Sequence, residues 1–297
     1  MALYFQRRHN VKFCFHLSSM HGYHDTFKDS NRHFFRALFY NLKNRYLKIL
    51  FYNFILKRAD IVLPISSYMS KLLVTKVGSK QKLLPSPLSG TEVFLSSNYK
   101  IQNVEENPLK GDKKLLYLGV ISKRRRSSTL FKIIKELKKV QSNIVLNILG
   151  HIEANESKDT IQELSEKYGV SSNINFIGEV EYQEVPKYIE QADIGIISIP
   201  PEPKYLVSSP TKFIEFLSVG VPVVFNREIH LMREISRKSL SGIGVDYNNI
   251  DQYVQAINFL LDNNLLSKKL GQNGSVWVRK NFTNKLLSEQ IIRKLHS

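Results

Sequence analysis

The chain has 297 residues, of which 42% are hydrophobic, and it carries a formal net charge of +17. This length suggests about two domains, and the composition excludes a disordered or fibrous chain. The single cysteine, Cys14, excludes an internal disulfide, and its apolar neighbours predict a buried structural thiol rather than a nucleophile. The positive charge implies an anionic partner, which is nucleic acid, a membrane surface or a phosphorylated substrate.

The N-terminal sequence predicts neither secretion nor membrane insertion. Arg7 and Arg8 are not followed by the apolar stretch of a signal peptide, and no segment reaches the roughly 18–20 apolar residues of a spanning helix. We therefore expect a cytoplasmic protein, soluble or peripheral at the inner face of the membrane. Nucleic acid is not expected, because zinc-finger spacing, RNA-binding aromatic motifs and a helix-turn-helix pattern are missing.

The first predicted elements are a strand at 11–17, a loop at 18–31 and an amphipathic helix at 32–58. We expect the apolar stripe of this helix to pack into the core. The stripe consists of Leu38, Phe39, Leu42, Tyr46, Ile49, Leu50 and Phe54. Asp25 and Asp29 are the only acidic residues between Arg7 and Arg58. The basic residues beside the apolar stripe are therefore suited to contact with an anionic membrane.

The elements that follow predict an α/β fold. A strand at 61–64, a helix capped by Ser66 or Ser67 and a strand at 83–87 precede a polar linker at 96–112. Short apolar strands then alternate with helices, which predicts a parallel sheet with helices on both faces. The strands are predicted at 115–119, 144–150, 174–178, 194–198 and 223–225, and the helices at 127–140, 157–168, 182–191 and 210–219. Ligands in such sheets bind at the carboxyl ends of strands.

The segment from Ser208 to Val224 predicts an anion site. Ser209 can cap a helix, Pro210 suits its first position, and Gly220 suits a left-handed end. Lys212 would lie in the first turn, where the helix dipole disfavours a cation, and a bound phosphate would resolve that conflict. Glu215 lies on the same face and could accept ribose hydroxyls. The alternative is an ordinary surface Lys/Glu pair.

A second candidate site follows the strand at 115–119. Gly119 allows a ligand to approach the backbone, and the next residues include four consecutive cations, from Lys123 to Arg126. One or two of them could neutralise a diphosphate, and the others would be solvated. The missing G-x-G-x-x-G and P-loop spacings argue against a nicotinamide enzyme and an ATPase.

Taken in order, these motifs resemble the donor half of a family 4 glycosyltransferase with the two-domain GT-B fold. The resemblance covers residues 115 to about 287. It rests on Tyr117-Leu118-Gly119 with Arg125, Ile148-Leu149-Gly150, Phe176-Ile177-Gly178-Glu179-Val180, Ala192-Asp193-Ile194-Gly195-Ile196, Pro210-Thr211-Lys212 with Glu215, and Gly220-Val221-Pro222-Val223. The run from Ala59 to Ser66 resembles the last part of the acceptor domain of the same family.

The resemblance implies roles for individual residues. Arg125 and Lys212 would bind the donor diphosphate and Glu215 the ribose. The remaining donor-binding residues would be Gly119, Lys123, Ser209 and Thr211. No divalent cation or other cofactor is expected, because the helix dipole and the cations would stabilise the leaving nucleoside diphosphate.

The contact with the transferred sugar stays open. The first glutamate of the family's E-x7-E pattern is replaced by Val207, and Glu202 is an upstream substitute, or simply a loop carboxylate. A histidine at a strand end often faces the sugar in this family. His16 is the candidate for that catalytic position, with His21 and His24 as competitors.

The implied organisation is a partial acceptor-side domain at 1–95, a linker at 96–112, a nucleotide-sugar domain at 113–280 and a C-terminal helix at 281–297. About 80 residues of a usual acceptor domain have no counterpart, which leaves sheet edges that invite a partner chain. The implied function is a retaining glycosyltransferase that builds a cell-surface glycan. The alternatives are a non-catalytic nucleotide-sugar-binding subunit and a basic binder of membranes or nucleic acid.

Overall fold

The computed structural model describes residues 8–9, 11–19, 34–77, 83–95, 109–154 and 160–296. The chain forms two compact units. Unit 1 comprises Met1–Leu88, Glu202–Ser209 and Lys285–Ser297, and unit 2 comprises Ser89–Pro201 and Pro210–Asn284. The predicted α/β class is confirmed, since each unit holds a parallel sheet with flanking helices. Most of the predicted linker lies outside the described residues.

The strands, in chain order, are β1 Cys14–Leu17, β2 Ile61–Pro64, β3 Lys113–Leu118, β4 Ile144–Leu149, β5 Ile174–Gly178, β6 Ile194–Ile197, β7 Val223–Asn226 and β8 Gly242–Val245. The helices are α1 Phe34–Ile49, α2 Ser67–Val77, α3 Glu92–Leu95, α4 Ser128–Leu137, α5 Thr160–Tyr168, α6 Val185–Glu190, α7 Pro203–Leu206, α8 Thr211–Val219, α9 His230–Ser239, α10 Ile250–Asp262, α11 Asn264–Asn281 and α12 Asn284–His296. None of these described helices has the length and apolar character needed to cross a bilayer.

Unit 1 contains a two-stranded parallel sheet in which His16 of β1 lies opposite Leu63 of β2. Strand β1 is shorter than predicted. The segment predicted as a strand at 83–87 forms only an isolated parallel bridge, Leu83 to Val62, rather than a full strand, although the N–H groups of Leu84 and Ser86 donate to the carbonyls of Val62 and Pro64 at 3.0 and 2.8 Å. Pro64 of β2 has no N–H to donate back to the Leu84 carbonyl, so the ladder stays incomplete. The predicted helix cap is confirmed, since Ser66 Oγ accepts the N–H of Met69 at 3.1 Å.

The predicted stripe of the first long helix is corrected by the structure. Leu42, Tyr46 and Ile49 are 57%, 66% and 53% exposed, while Leu38 and Phe39 lie among side chains that the structure does not describe. Beyond Ile49 the helix continues as a π-helical segment, Leu50–Leu56, which buries Phe51, Tyr52 and Leu56. A π-turn holds more residues than the 3.6 of an α-turn, so the buried face shifts away from a stripe drawn at α-helical spacing.

Unit 2 contains a six-stranded parallel sheet with the order β5-β4-β3-β6-β7-β8. Strand β8 was not predicted, because its sequence Gly242-Ile243-Gly244-Val245 has a weak strand pattern. Helix α4 packs beside α10, and α8 packs beside α11. The strand order reverses between β3 and β6, and in open parallel sheets ligands bind in the crevice at the carboxyl ends near such a reversal.

Candidate functional site

Helix α8 begins the candidate site in unit 2. Gly220 ends it in the left-handed conformation at φ 93°, as predicted, but Pro210 is its N-cap, with extended backbone at ψ 107°, rather than the predicted first helical residue. Within the described residues no side chain caps the helix. The first-turn N–H groups are therefore not satisfied by a side-chain acceptor, which leaves them suited to an anion.

The predicted capping role of Ser209 is wrong. The Ser209 hydroxyl is buried and accepts the backbone N–H of Leu88 at 3.0 Å. Because Pro210 rather than Ser209 occupies the N-cap, the hydroxyl is one residue too early to reach the first turn. Ser209 and Leu88 both belong to unit 1.

Lys212 and Glu215 form an ion pair across the first turn of α8. Lys212 Nζ lies 3.3 Å from Glu215 Oε2, and the lysine side chain is 43% exposed whereas that of the glutamate is 6% exposed. Among the described atoms, Glu215 Oε2 has no partner in hydrogen-bond geometry. Burial raises the pKa of the Glu215 carboxyl, and Lys212 and Thr211 oppose the shift. A buried carboxylate with an unused lone pair is suited to accept a hydroxyl.

The carboxyl ends of β3, β4 and β5 are joined through backbone hydrogen bonds between glycines and their neighbours. The N–H of Gly119 donates to the carbonyl of Leu149 at 3.0 Å, and that of Gly150 donates to the carbonyl of Gly178 at 2.8 Å. At Gly150 a Cβ atom would lie 2.1 Å from the Gly119 carbonyl oxygen, and φ is +146°. Only glycine fits this approach of backbone to backbone.

A cavity of about 260 Å³ lies at these strand ends, entirely within unit 2. Its lining is mostly apolar, with Lys212 as a cation and His151, Glu179 and Tyr182 as the other polar side chains. The lining residues are Leu118, Gly119, Val120, Leu149, Gly150, His151, Glu179, Val180, Tyr182, Val185 and Lys212. An apolar pocket with a few polar groups at its wall is the usual form of a small-molecule site.

His151 was not among the predicted residues, and Glu179 was part of a quoted motif but was given no role. His151 Nδ1 lies 3.1 Å from Glu179 Oε1, and both side chains are largely exposed. Each residue directly follows a strand-end glycine, Gly150 or Gly178. Neighbouring parallel strands end at the same edge of a sheet. The location of both residues directly after a strand-end glycine could therefore have predicted that they lie together at the site.

The cationic loop after Gly119 does not line this cavity. The N–H of Arg125 donates to Ser122 Oγ at 3.1 Å, which holds the loop in a turn. Arg124 pairs with Glu153 at 2.8 Å. The Arg125 side chain is half-buried and that of Lys123 is exposed.

The remaining candidates lie in unit 1 or outside the described residues. His16 is exposed, and its Nε2 lies 3.4 Å from the carbonyl oxygen of Ser86. Val207 is buried in the unit 1 core, so it adds no polar group, and Glu202 pairs with Lys204 at 3.1 Å. His21 and His24 are outside the described residues.

Cys14 is half-buried rather than buried. Burial and the nearby Asp60 carboxylate raise the pKa of its thiol. A raised pKa lowers the thiolate fraction, which fits the predicted structural role better than a nucleophilic one.

The pKa of Glu215 gives a prediction about pH. A raised pKa means that the folded state binds this proton more tightly than the unfolded state, where the pKa is about 4.3. Ionisation of Glu215 should therefore cost stability as pH rises above that value. Compared with Glu215→Gln, the wild type should lose free energy of unfolding as pH rises above that unfolded-state value.

Urea unfolding followed by the fluorescence of Trp277, the sole tryptophan and a residue of α11 in unit 2, can measure this difference. Subtracting the variant from the wild type at each pH removes the contribution of the other titrating groups. A difference that stays flat, or that changes in favour of the wild type as pH rises, would contradict the prediction.

Comparison with known families identifies the motifs of unit 2. The family model for glycosyl transferases group 1 matches residues 100–277. The chain belongs to the glycosyl transferases group 1 family. The match includes every predicted donor-binding residue of this chain, whereas His16 precedes it.

Two curated relatives match this member of the glycosyl transferases group 1 family. A Bacillus subtilis (strain 168) protein assigned by name to teichuronic acid biosynthesis, the glycosyltransferase TuaH, is 29% identical over 170 residues. The uncharacterized glycosyltransferase MJ1069 of Methanocaldococcus jannaschii is 24% identical over 234 residues. The alignments cover 57% and 77% of this chain but only 41% and 56% of the two relatives, so the chain spans about half their length.

Solved structures share the fold. Sucrose-phosphate synthase from Thermosynechococcus elongatus aligns with 98% of this chain and 69% of its own, at 16% identity and a TM-score of 0.71. Anabaena Alr3699/HepE in complex with UDP aligns with 98% of this chain and 74% of its own, at 12% identity and a TM-score of 0.74. These likenesses confirm the predicted α/β architecture of GT-B glycosyltransferases.

Proposed function

We propose that this group 1 glycosyl transferase moves a sugar from a nucleoside-diphosphate sugar to a glycan or lipid-linked acceptor. One observation carries the proposal: Lys212 lies in the first turn of α8 and also lines the cavity at the strand ends. A cation and a helix N-terminus that face the same space form a site for a phosphate group. Membership of the glycosyl transferases group 1 family supports a nucleoside-diphosphate sugar as the ligand that carries this phosphate.

The geometry of unit 2 suggests how the donor is held. The diphosphate is bound by Lys212 and the first-turn N–H groups of α8, with Arg125 of the cationic loop as a further cation. Glu215 accepts a ribose hydroxyl at its carboxylate, which Lys212 holds in an ion pair. The apolar part of the cavity, with Tyr182 in its wall, accommodates the nucleoside.

The same groups serve the chemical step. As the bond from the sugar to the diphosphate breaks, negative charge grows on the leaving phosphate, and Lys212 with the α8 dipole stabilises it. We propose on this basis that no divalent cation is required. We also propose that the transferred sugar is a hexose, that its anomeric configuration is retained, and that the product belongs to a cell-surface polysaccharide.

Calorimetry with a panel of nucleoside diphosphates and their hexose derivatives tests the donor. UDP comes first, because the HepE structure contains it. Micromolar binding of one nucleotide that persists in EDTA is expected, whereas no binding of any nucleotide would refute the proposal. NMR of the product made from the matching sugar nucleotide then shows whether the anomeric configuration is retained.

His16 gives a separate prediction. If it faces the transferred sugar, His16→Asn should lower kcat by about 100-fold, the range found for one positioned polar group in catalysis. The affinity for the nucleoside diphosphate should stay within twofold, since the predicted diphosphate and ribose ligands lie elsewhere in the sequence.

His9→Asn is the matched control, since it changes another exposed histidine of unit 1. Turnover of His16→Asn at the wild-type rate would remove His16 from the catalytic role. A loss of nucleotide affinity equal to the loss of turnover would instead indicate a structural role.

A second candidate function is a nucleotide-sugar-binding subunit that does not turn over alone. The family match covers residues 100–277, and the chain spans about half of its curated relatives. This candidate predicts donor binding without transfer, and transfer when a partner chain supplies the acceptor-side strands. Turnover by the purified chain alone would exclude it.

A further inference from the structure

Helix α1 exposes a surface that combines apolar and cationic side chains. We define its outer face as Leu42, Lys43, Arg45, Tyr46, Leu47 and Ile49. All six are exposed, and the four apolar members are between 45% and 66% exposed. Exposed apolar residues that cluster, rather than scatter singly, mark an interaction site.

The arrangement of the outer face follows from helical spacing. Leu42, Tyr46 and Ile49 recur at intervals of four and three, which aligns them in one stripe. Lys43 and Arg45 lie on either side of that stripe. An apolar stripe flanked by cations is typical of a helix that lies in the plane of a membrane interface.

The π-helical segment holds this face outward. Phe51, Tyr52 and Leu56 are buried in the unit 1 core, and Phe51 makes edge contacts with Phe15 and Tyr52 at 5.5 Å and 5.2 Å between ring centroids. The core side of the continuous helix is therefore occupied by the residues of the π-helical segment. The outer face is free of that packing.

The charges indicate the chemistry of the partner. The sequence from 34 to 59 contains no acidic residue, and the exposed cations continue past α1 with Lys57 and Arg58. Arg58 lies 3.6 Å from the centre of the Phe54 ring, which is itself 43% exposed, so charge and apolar surface coincide there too. A surface of this kind is complementary to a partner that carries both negative charges and hydrocarbon groups.

We propose that the outer face of α1 binds an anionic lipid bilayer. Leu42, Tyr46 and Ile49 insert among the headgroups and upper acyl chains, while Lys43 and Arg45 pair with lipid phosphates. Nucleic acid would satisfy the cations but offer nothing to the apolar stripe. An apolar protein surface would cover the stripe but bury the cations unpaired.

Co-sedimentation of the full chain with vesicles tests the proposal without any nucleotide, so its outcome is independent of donor binding. We expect binding to vesicles of equal parts phosphatidylglycerol and phosphatidylcholine, little binding to phosphatidylcholine alone, and a steep loss with salt. Sedimentation with neither vesicle, or equally with both, would overturn the proposal.

Variants locate the surface. Because each cation near an anionic membrane contributes a factor of about 5, the double variant Lys43→Gln with Arg45→Gln should lower the partition coefficient about 25-fold. The double variant Leu42→Ser with Tyr46→Ser should lower it about tenfold or more. The matched controls are Lys132→Gln with Lys135→Gln, both exposed on α4, and Leu265→Ser, at a residue 88% exposed on α11.

Three further results would overturn the proposal. Equal losses in the control variants would show diffuse electrostatic attraction instead of a defined face. A dimer in light scattering that Leu42→Ser with Tyr46→Ser makes monomeric would show that a second copy covers the face. Salt-sensitive binding to duplex DNA that depends on Lys43 and Arg45, without vesicle binding, would assign the face to nucleic acid.

Discussion

Replacing Lys212 with glutamine is expected to weaken binding of the nucleoside diphosphate by about 10- to 100-fold, because hydrogen bonds to charged groups contribute about 1.5–3 kcal/mol. The ammonium is the charged side chain that the structure places both in the first turn of α8 and in the cavity wall. Its loss also leaves the buried Glu215 carboxyl without its cation. Calorimetry with the preferred nucleotide measures the change.

Two further variants separate charge from geometry in this prediction. Lys212→Arg keeps the charge and should recover part of the affinity, although the planar guanidinium differs in shape from an ammonium. Lys132→Gln makes the same charge change on the exposed side of α4 and should bind as the wild type does. An affinity of Lys212→Gln within twofold of the wild type would refute the diphosphate role.

The largest effect on stability is expected from Gly150→Ala. The new Cβ would lie 2.1 Å from the carbonyl oxygen of Gly119, which is backbone and cannot rotate away, and φ at this position is +146°. Overpacking costs about 1–3 kcal/mol and the unfavourable backbone conformation about 1–3 kcal/mol. We therefore expect a loss of about 3 kcal/mol or more in the free energy of unfolding, seen in urea titrations through Trp277 fluorescence.

Gly178→Ala is the matched control for this prediction. Gly178 also ends a strand with positive φ, at +87°, but a Cβ there would meet nothing within 4 Å. It should cost only the backbone strain, about 1–2 kcal/mol. Equal destabilisation by the two substitutions would show that the approach of Gly150 to Gly119 has no energetic consequence. Gly150→Ala should also weaken nucleotide binding, since Gly150 and Gly119 line the cavity and Gly178 does not.

Much of unit 2 could be predicted because its signals are local. Five of its six strands follow from short apolar runs bounded by turn residues, and α8 follows from Pro210 at one end and Gly220 at the other. Lys212 could be assigned to the first turn for the same reason. Strand β8 escaped prediction because Gly242 and Gly244 interrupt its apolar pattern.

The cavity lining required the tertiary structure. His151 and Glu179 are 28 residues apart in the sequence, and they meet because β4 and β5 pair in parallel and end together. The partner of the Ser209 hydroxyl is the N–H of Leu88, 121 residues away. The Ser209 hydroxyl accepts a hydrogen bond from this distant N–H instead of capping the adjacent helix. The residues next to Ser209 in the sequence do not predict that contact.

The sequence by itself determined the alternation of strands and helices, the glycines at the strand ends and the lysine at the start of α8, since each depends on residues within one or two turns of chain. The tertiary structure alone decided which side chains share the cavity and which face of α1 is exposed. At Leu42, Tyr46 and Ile49 an apolar stripe at helical spacing has two possible environments, core or surface. The stripe is exposed because Phe51, Tyr52 and Leu56 of the π-helical segment occupy the core side of the helix instead.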